Sequence, residues 1–292
     1  MNTDNREINS ICFALKEYGE VGPKLFQQLL LIYGHPKNIF TQTADDISSM
    51  TGINIERAGK IAAAADLLEQ AEKQIDDLLD INIHLISYFD DRYPPAFRSI
   101  ADPPLVFYHR GDYNLLDSGG VAIVGTTSAD QAGIRAAVDF AKGFAGLGKT
   151  VISGLAAGID TAAHLGTVQS GGKTVAVLGC GHLNIYPDEN TPLASMIAET
   201  GAVISEYEIY ADAIPGRLIS RNRLIAALAD AVLIVQIGEN RKGELHTAKA
   251  AYEQGKPVYV FDPENRYSDI DSSYIIIKCI EQLEDISSAL IR

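Results

Sequence analysis

Six short apolar runs, rich in β-branched residues, alternate with longer helical segments between residues 121 and 261. The runs are Val121–Val124, Thr150–Ser153, Thr174–Leu178, Ala202–Ser205, Ala231–Gln236 and Pro257–Phe261. Almost every position within a run is apolar, which is typical of strands that are buried on both faces. The segments between the runs are long enough for crossover helices. The pattern therefore predicts an α/β domain in which helices cover both faces of a doubly wound parallel sheet.

The N-terminal part of the chain follows a helical pattern instead. Apolar residues recur at spacings of three and four from Ile11 to Tyr33, with an interruption at Gly19–Gly22, and again over residues 55–80. Turn-forming residues separate these stretches. We predict a small all-α domain over residues 1–82 that contains two helix–turn–helix units.

Residues 83–292 are assigned to the second domain, and their first part, residues 83–112, is a connector. It carries two proline pairs, Pro94–Pro95 and Pro103–Pro104, which stop helices and favour extended loops. Short apolar runs flank these pairs, so the connector is expected to add edge strands. A final strand and a closing helix, Glu281–Arg292, are predicted at the end, with no further C-terminal domain.

Three consecutive predicted strands end in a glycine, at Gly125, Gly154 and Gly179. Ligands of open parallel sheets bind beyond the carboxyl ends of the strands. Glycine permits a sharp turn there, and the following helix presents unpaired backbone amides. The three turns either serve only to reverse the chain or form a concave site for an anion, and we favour the anion site.

Polar side chains that follow these turns extend the predicted site. The hydroxyls of residues 126–128 either cap a helix or contact phosphate, and Asp160 is predicted to cap the helix that contains His164. Arginines near the start of the helix after the fourth strand either pair with Glu206 or Glu208 or hold a bound anion. We favour the anion, because the arginines oppose the helix dipole; Ser220 is a candidate cap there. The predicted phosphate-binding residues are Gly125, Thr126, Thr127, Ser128, Gly154, Ala157, Gly158, Gly179, Gly181, Arg217, Arg221, Asn222, Arg223, Lys242, Gly243 and Thr247.

The net charge of −14 is unfavourable for a protein that binds phosphate groups. The local distribution of charge matters more for binding than the net charge, however, and six cations lie between Arg217 and Lys249. The sequence therefore predicts that these cations and the glycine turns converge into one local anion trap within a negative molecule. Glu244 is unexpected at this place. It could pair with a neighbouring arginine, bind a sugar hydroxyl or take part in metal-assisted chemistry, and pairing is the simplest of these roles.

Other chemistries have little support in the sequence. The three cysteines lie far apart and suggest neither a disulfide framework nor a metal site. The dinucleotide, P-loop and serine-hydrolase motifs are incomplete or absent. No apolar run is long enough for a membrane span, and the polar N-terminus is unlike a signal peptide. We expect a soluble cytoplasmic protein with no catalytic residues, metal or cofactor.

Several of these segments occur in order in one known family. The chain resembles the DprA/Smf family of DNA-processing proteins, and the match covers nearly its whole length. The matching segments are Asp91–Pro94, Asp102–Pro104, Gly154–Asp160 with Ala162–His164, Thr174–Gly181, Ile185–Pro187, Glu189–Asn190, Ser205–Tyr207 and Arg221–Ala226.

The resemblance implies an extended Rossmann-like fold after a helical domain similar to SAM and helix-hairpin-helix domains. It also implies sequence-independent binding of single-stranded DNA, delivery of that strand to a RecA-type recombinase during natural transformation, homodimers and no enzymatic activity. Many members carry a C-terminal winged helix, which the sequence pattern does not predict here.

The departures from the family pattern cluster at the predicted DNA-binding face. Thr127 and Ala157 replace arginines, Leu218 replaces a phenylalanine, and Glu244 replaces a serine. Loss of two cations and one stacking ring predicts weaker DNA binding or a changed ligand. Two alternatives follow, a nucleotide-sensing protein of the wider group of related sheets (SLOG), and a phosphoribohydrolase-like enzyme in which Glu244 and Glu253 are the carboxylates to test.

Overall fold

The computed structural model describes residues 3–239 and 243–288. The chain separates into two compact units, residues 1–109 and residues 110–292. Most of the connector therefore belongs to the first unit, whereas the sequence pattern had assigned it to the second domain. The physical reason is that its two strands pair with each other, and the first of them packs against helices of the N-terminal unit.

The first unit is mainly helical, as predicted. Its helices are α1 (Thr3–Glu17), α2 (Pro23–Tyr33), α3 (Pro36–Ile39), α4 (Ala44–Thr51), α5 (Ile55–Ala63), α6 (Leu68–Asp80) and α7 (Pro95–Arg98). Strands β1 (His84–Ser87) and β2 (Val106–Gly111) form an antiparallel pair in which His84 lies opposite His109. The last two residues of β2 fall in the second unit.

Local sequence signals explain where these helices begin. Proline stands at the first position of α2, where its missing amide hydrogen costs no hydrogen bond. Thr43 and Asp46 form a reciprocal capping box at the start of α4. The apolar faces then meet in a core that includes the buried Phe26 and Ile61.

The second unit contains the parallel sheet that the alternating pattern predicts. Its strands are β3 (Val121–Gly125), β4 (Val151–Ser153), β5 (Thr174–Leu178), β6 (Ala202–Ser205), β7 (Ala231–Gln236), β8 (Val258–Phe261) and β9 (Ile275–Ile277). Their order is β6-β5-β4-β3-β7-β8-β9, and each neighbouring pair is parallel. The six predicted runs match the first six of these strands to within one residue at either end.

Helices cover both faces of this sheet. They are α8 (Gln131–Gly146), α9 (Ile159–Gln169), α10 (Thr191–Thr200), α11 (Pro215–Leu228), α12 (Gly243–Glu253) and α13 (Leu283–Ser288). Val121 and Ile123 point into a core with α8, α9 and α13, while α10 packs beside α9 on β5 and β6. Helices α11 and α12 pack against β3, β4, β5 and β7 from the opposite face.

Helix α11 begins five residues earlier than the predicted cap at Ser220. Pro215 occupies its first turn, and Ile214 precedes the helix without a side-chain cap. Ser220 and Arg221 therefore lie inside the helix rather than at its start, and only Arg217 stands in the first turn. Among the helices of residues 3–239 and 243–288, none has the length and apolar character needed to cross a membrane.

Candidate functional site

A cavity of about 430 Å³ opens at the carboxyl ends of the central strands of the second unit. The cavity lies beside the end of β3. Strand β4, the next strand in the chain, is the neighbour of β3 on one side, and β7 is its neighbour on the other. Such a topological switch point is where open α/β sheets bind their ligands. The position agrees with the site that the three glycine turns predict, and its volume lies within the roughly 300–1,000 Å³ of small-molecule pockets.

Half of the predicted site residues line this cavity. They are Gly125, Thr127, Gly154, Ala157, Arg221, Asn222, Gly243 and Thr247. The other lining residues are Val124, Ala156, Asp160, Tyr186, Pro187, Leu218, Ile219, Ile225 and Glu244. The predicted residues thus form about half of the lining, and the apolar wall of the cavity was not predicted. Of the remaining predicted residues, Lys242 lies outside the described residues.

The loop between β4 and α9 forms one wall, and its backbone conformation is tightly determined. Leu155 and Gly158 have positive φ angles of 59° and 76°. A Cβ atom at Gly158 would lie 2.4 Å from the carbonyl oxygen of Thr126, so only glycine fits. The side-chain amide of Asn190 donates to the carbonyl oxygen of Leu155 at 2.8 Å and secures the loop from the other side.

Arg221 brings the two predicted segments together, but as a buried structural group. Its side chain enters the loop wall, and the residue is only 4% exposed. Nη1 donates to the carbonyl oxygens of Gly154, at 2.5 Å, and Val177, and Nε donates to Oδ1 of Asn222 at 3.1 Å. The guanidinium thus bridges the carboxyl ends of β4 and β5. Most of its donors are therefore not free for a bound phosphate.

Asp160 lies beside this guanidinium and is not the cap that its position suggested. Gly158 precedes α9, and Asp160 lies within the first turn, where its carboxylate accepts a hydrogen bond from the amide of Gly154 at 3.1 Å. Burial raises the pKa of Asp160 to about 6, although the charge of Arg221 opposes the shift. Asp160 is thus a buried counterion for Arg221 in the wall of the cavity.

His164, in the helix that follows Asp160, is a structural residue of the core. The imidazole is fully buried, and its Nδ1 lies 2.8 Å from the hydroxyl of Thr174 on β5. Burial, together with the positive charge of Arg221, lowers the pKa of His164 to about 3. His164 is therefore neutral in the folded protein and ties α9 to the sheet.

The predicted anion trap needs correction, because the cations do not converge on the cavity as free charges. Arg223 forms a partly buried ion pair with Glu206 at 2.8 Å, and Arg221 is buried against carbonyl groups and Asp160. Lys249 is exposed and lies 3.8 Å from Glu253 on its own helix. Neither Arg223 nor Lys249 lines the cavity.

Several small residues of the predicted site serve packing or local turns instead. A Cβ atom at Gly179 would meet Leu218, and one at Gly181 would meet the carbonyl oxygen of Ile209. The hydroxyl of Thr126 accepts a hydrogen bond from the amide of Ser128, and Asp130 caps α8. These contacts explain why the segments carry glycine and hydroxyl residues without any ligand.

Tyr186 is the functional candidate that sequence reasoning missed. Its side chain borders the cavity and is 55% exposed, next to the half-buried Leu218 and the exposed Ile219. We call these three residues the apolar rim. A flat ring and two aliphatic side chains at the mouth of a cavity suit the face of a nucleobase, because stacking on an aromatic ring requires no sequence-specific contact. Tyr186 belongs to the matching segment Ile185–Pro187, and the sequence alone predicts no role for its ring.

Comparison with known proteins identifies one family that this chain matches over most of its length. A model of the family described as DNA recombination-mediator protein A matches residues 84–282. The DNA processing protein DprA of Bacillus subtilis (strain 168) is 33% identical over 214 residues, which cover 70% of this chain and 72% of that protein.

Two solved structures share the fold. The X-ray structure of DprA from Streptococcus pneumoniae superposes with a TM-score of 0.72 at 26% identity and covers 95% of this chain and 97% of that one. The structure of DprA from Helicobacter pylori has a TM-score of 0.62 at 28% identity, and covers 70% of this chain and 96% of that one. The latter is described in terms of its single-stranded DNA binding mode.

Proposed function

The chain belongs to the family of DNA recombination-mediator protein A, and on this premise we propose that it binds single-stranded DNA at the cavity of the second unit. The observation that carries the proposal is the combination of a cavity at the switch point of the sheet with an exposed aromatic ring at its rim. Single-strand binders combine stacking surfaces of this kind with nearby cations. The relative from Helicobacter pylori, whose structure is described with a single-stranded DNA binding mode, supports the same ligand.

Arg217 is the cation that we assign to the DNA backbone. It lies in the first turn of α11, directly before Leu218 of the apolar rim. Its guanidinium packs over the ring of Tyr207 and donates to the carbonyl oxygen of Asp212 at 2.7 Å. It has no ion pair within residues 3–239 and 243–288, so its charge is not cancelled as that of Arg223 is.

Substituting Arg217 with glutamine is expected to weaken the binding of single-stranded DNA and to lower its salt dependence. Removal of one phosphate contact to a single strand reduces the slope of log affinity against log salt by about 0.7. Fluorescence anisotropy with a labelled single strand, recorded over a series of salt concentrations, measures both quantities. Double-stranded DNA of the same sequence serves as the competitor.

The matched control for this prediction is Arg135→Gln. Arg135 is exposed on α8, which packs against the opposite face of the sheet from α11. A general effect of net charge would change binding equally in both variants. Equal slopes for Arg217→Gln and the unsubstituted protein would contradict the assignment, and no binding to single strands at low salt would contradict the proposed function.

The finer parts of the proposal concern partners. We propose that the protein delivers the bound strand to a RecA-type recombinase and acts as a homodimer rather than as an enzyme. Strand β9 closes the described sheet on one side, and it exposes Ile275 and Ile276. An apolar edge strand of this kind supports pairing with a second copy, because unpaired edges favour association.

A further inference from the structure

Glu244 is a buried acid in the wall of a cavity that is proposed to receive DNA. It stands in the first turn of α12 and is only 5% exposed. One carboxylate oxygen, Oε1, accepts a hydrogen bond from the amide of Gly238 at 2.7 Å. This hydrogen bond holds the carboxylate of Glu244 near the end of β7 and so restrains its otherwise flexible side chain.

The carboxylate of Glu244 has capacity left for a ligand. An ionised carboxylate accepts about four hydrogen bonds, and the Gly238 amide is its one partner within the described residues. No arginine among the described residues lies against it; Arg241 and Lys242 lie outside those residues, so the pairing of Glu244 with a neighbouring cation stays a prediction. A buried acceptor that faces a cavity is stabilised by a ligand with N–H or O–H donors.

The charges around the cavity disfavour a phosphate in its interior. Glu244 and Asp160 are both acids of the lining, and Arg221 is the one cation among the lining residues described. Arg221 already donates to two carbonyl groups and to Asn222. A phosphate is therefore better placed outside, near Arg217, and the interior is left for a group that donates hydrogen bonds.

Among the nucleobases, guanine has the edge that fits one carboxylate best. Its N1–H and its amino group are adjacent donors, so they reach the two oxygens of a carboxylate together, and charge-assisted bonds of this bidentate kind are strong. Adenine and cytosine present one amino group next to a ring acceptor, which repels a carboxylate. Thymine presents a single N–H between two carbonyl groups.

We propose that Glu244 makes the cavity a pocket for a guanine base, which enters past the apolar rim while its phosphate stays outside near Arg217. This inference rests on the proposed function, since it names the part of the strand that the same site holds. It also departs from binding that ignores sequence. The apolar walls formed by Val124, Leu218 and Ile225 suit the faces of a flat ring.

The test compares single strands that differ only at every third base. Repeats of TTG, TTA, TTC and TTT of equal length are titrated by fluorescence anisotropy, together with a repeat in which inosine replaces guanosine and so lacks the amino group. We expect the guanine repeat to bind roughly tenfold more tightly than the all-thymine repeat, and inosine to lose most of this preference. Equal affinity for all five strands would overturn the inference and leave the proposed function intact.

The variant Glu244→Gln tests the contribution of the carboxylate to the guanine preference. Glutamine keeps the size of the side chain but replaces one acceptor with a donor, so the ratio of affinities for the guanine and all-thymine repeats should fall to about 1. Glu253→Gln is the matched control, because Glu253 is an exposed acid on the same helix. A guanine preference that survives in Glu244→Gln would overturn the assignment.

A second arm separates this inference from the proposed function. Isothermal titration with the four deoxynucleoside monophosphates tests the pocket without any strand. Binding of dGMP that depends on Glu244, without binding of oligonucleotides, would support the guanine pocket and contradict the single-strand function. Failure of both ligands to bind would contradict both.

Discussion

Replacing Arg221 with methionine is expected to lower the free energy of unfolding by about 3–5 kcal/mol, the usual effect of leaving a buried charge without its compensating opposite charge. Methionine preserves much of the aliphatic volume, so the main loss is electrostatic. The carbonyl oxygens of Gly154 and Val177 lose their donor, and the buried carboxylate of Asp160 loses its cation. The strands that carry the cavity wall are linked by this guanidinium, so DNA binding should fall with stability.

The effect of Arg221→Met should depend on pH in a defined direction. Folded Asp160 has a pKa of about 6, above its ordinary value of 3.8, so the folded state keeps a proton that the unfolded state releases. Stability therefore falls as the pH rises through this interval. Loss of Arg221 raises the pKa of Asp160 further, so the stability of the variant continues to fall up to a higher pH. The variant should be closer to the unsubstituted protein at pH 5 than at pH 8.

Urea unfolding followed by circular dichroism at both pH values measures this difference. Lys249→Met is the control, because Lys249 is an exposed cation on α12, and its loss should change stability by less than about 0.5 kcal/mol. The double variant Asp160→Asn with Arg221→Met should recover part of the loss at pH 8. A stable Arg221→Met protein with weak DNA binding would instead restore Arg221 as a direct phosphate contact.

A second large effect is expected from His164 on acidification. Burial and the charge of Arg221 keep the pKa of folded His164 at about 3, whereas the unfolded imidazole has its ordinary value of 6.5. The unfolded state alone takes up the proton between these values, so stability falls as the pH decreases below 6.5. Between pH 6.5 and pH 5 this single group should remove about 2 kcal/mol of unfolding free energy.

Comparison with His164→Asn separates this contribution from all others. Asparagine can keep a hydrogen bond with the hydroxyl of Thr174 but does not titrate. The unsubstituted protein should therefore be clearly more stable than the variant at pH 7, and the difference should shrink by about 2 kcal/mol at pH 5. Parallel pH profiles for the two proteins would show that His164 can accept a proton in the folded state.

The sheet could be predicted from the sequence because one rule governs all of its strands. Strands buried on both faces must be almost wholly apolar, and runs such as Thr174–Leu178 satisfy this condition with few alternatives. The start of α11 was harder to place, since Ser220 is a plausible cap and the polar residues before it resemble a loop. Proline at position 215 was the better signal, because it fits the first turn of a helix.

The glycine turns indicated the strand ends at which the cavity lies, but the state of the charges around the cavity could not be predicted. Sequence spacing shows that Arg221 and Asp160 occur near turns, and it contains no information on their burial. Pairing with Glu206 was one of two interpretations of the arginines of α11, and only the folded chain, in which Arg223 lies against Glu206 across 17 positions of sequence, decides for it. Tyr186 was missed for a similar reason, because an exposed ring is meaningful only when a cavity lies beside it.

Photocrosslinking locates the bound strand most directly. A single strand that carries 4-thiothymidine at scattered positions is bound to the full-length protein and irradiated, and the crosslinked peptides are identified by mass spectrometry. Crosslinks should concentrate on Tyr186 and on the segment that contains Leu218 and Ile219, and they should decrease when unlabelled single strand competes. Crosslinks confined to the helices of residues 3–80, or to the face covered by α8, would contradict a DNA site at the strand ends of the second unit.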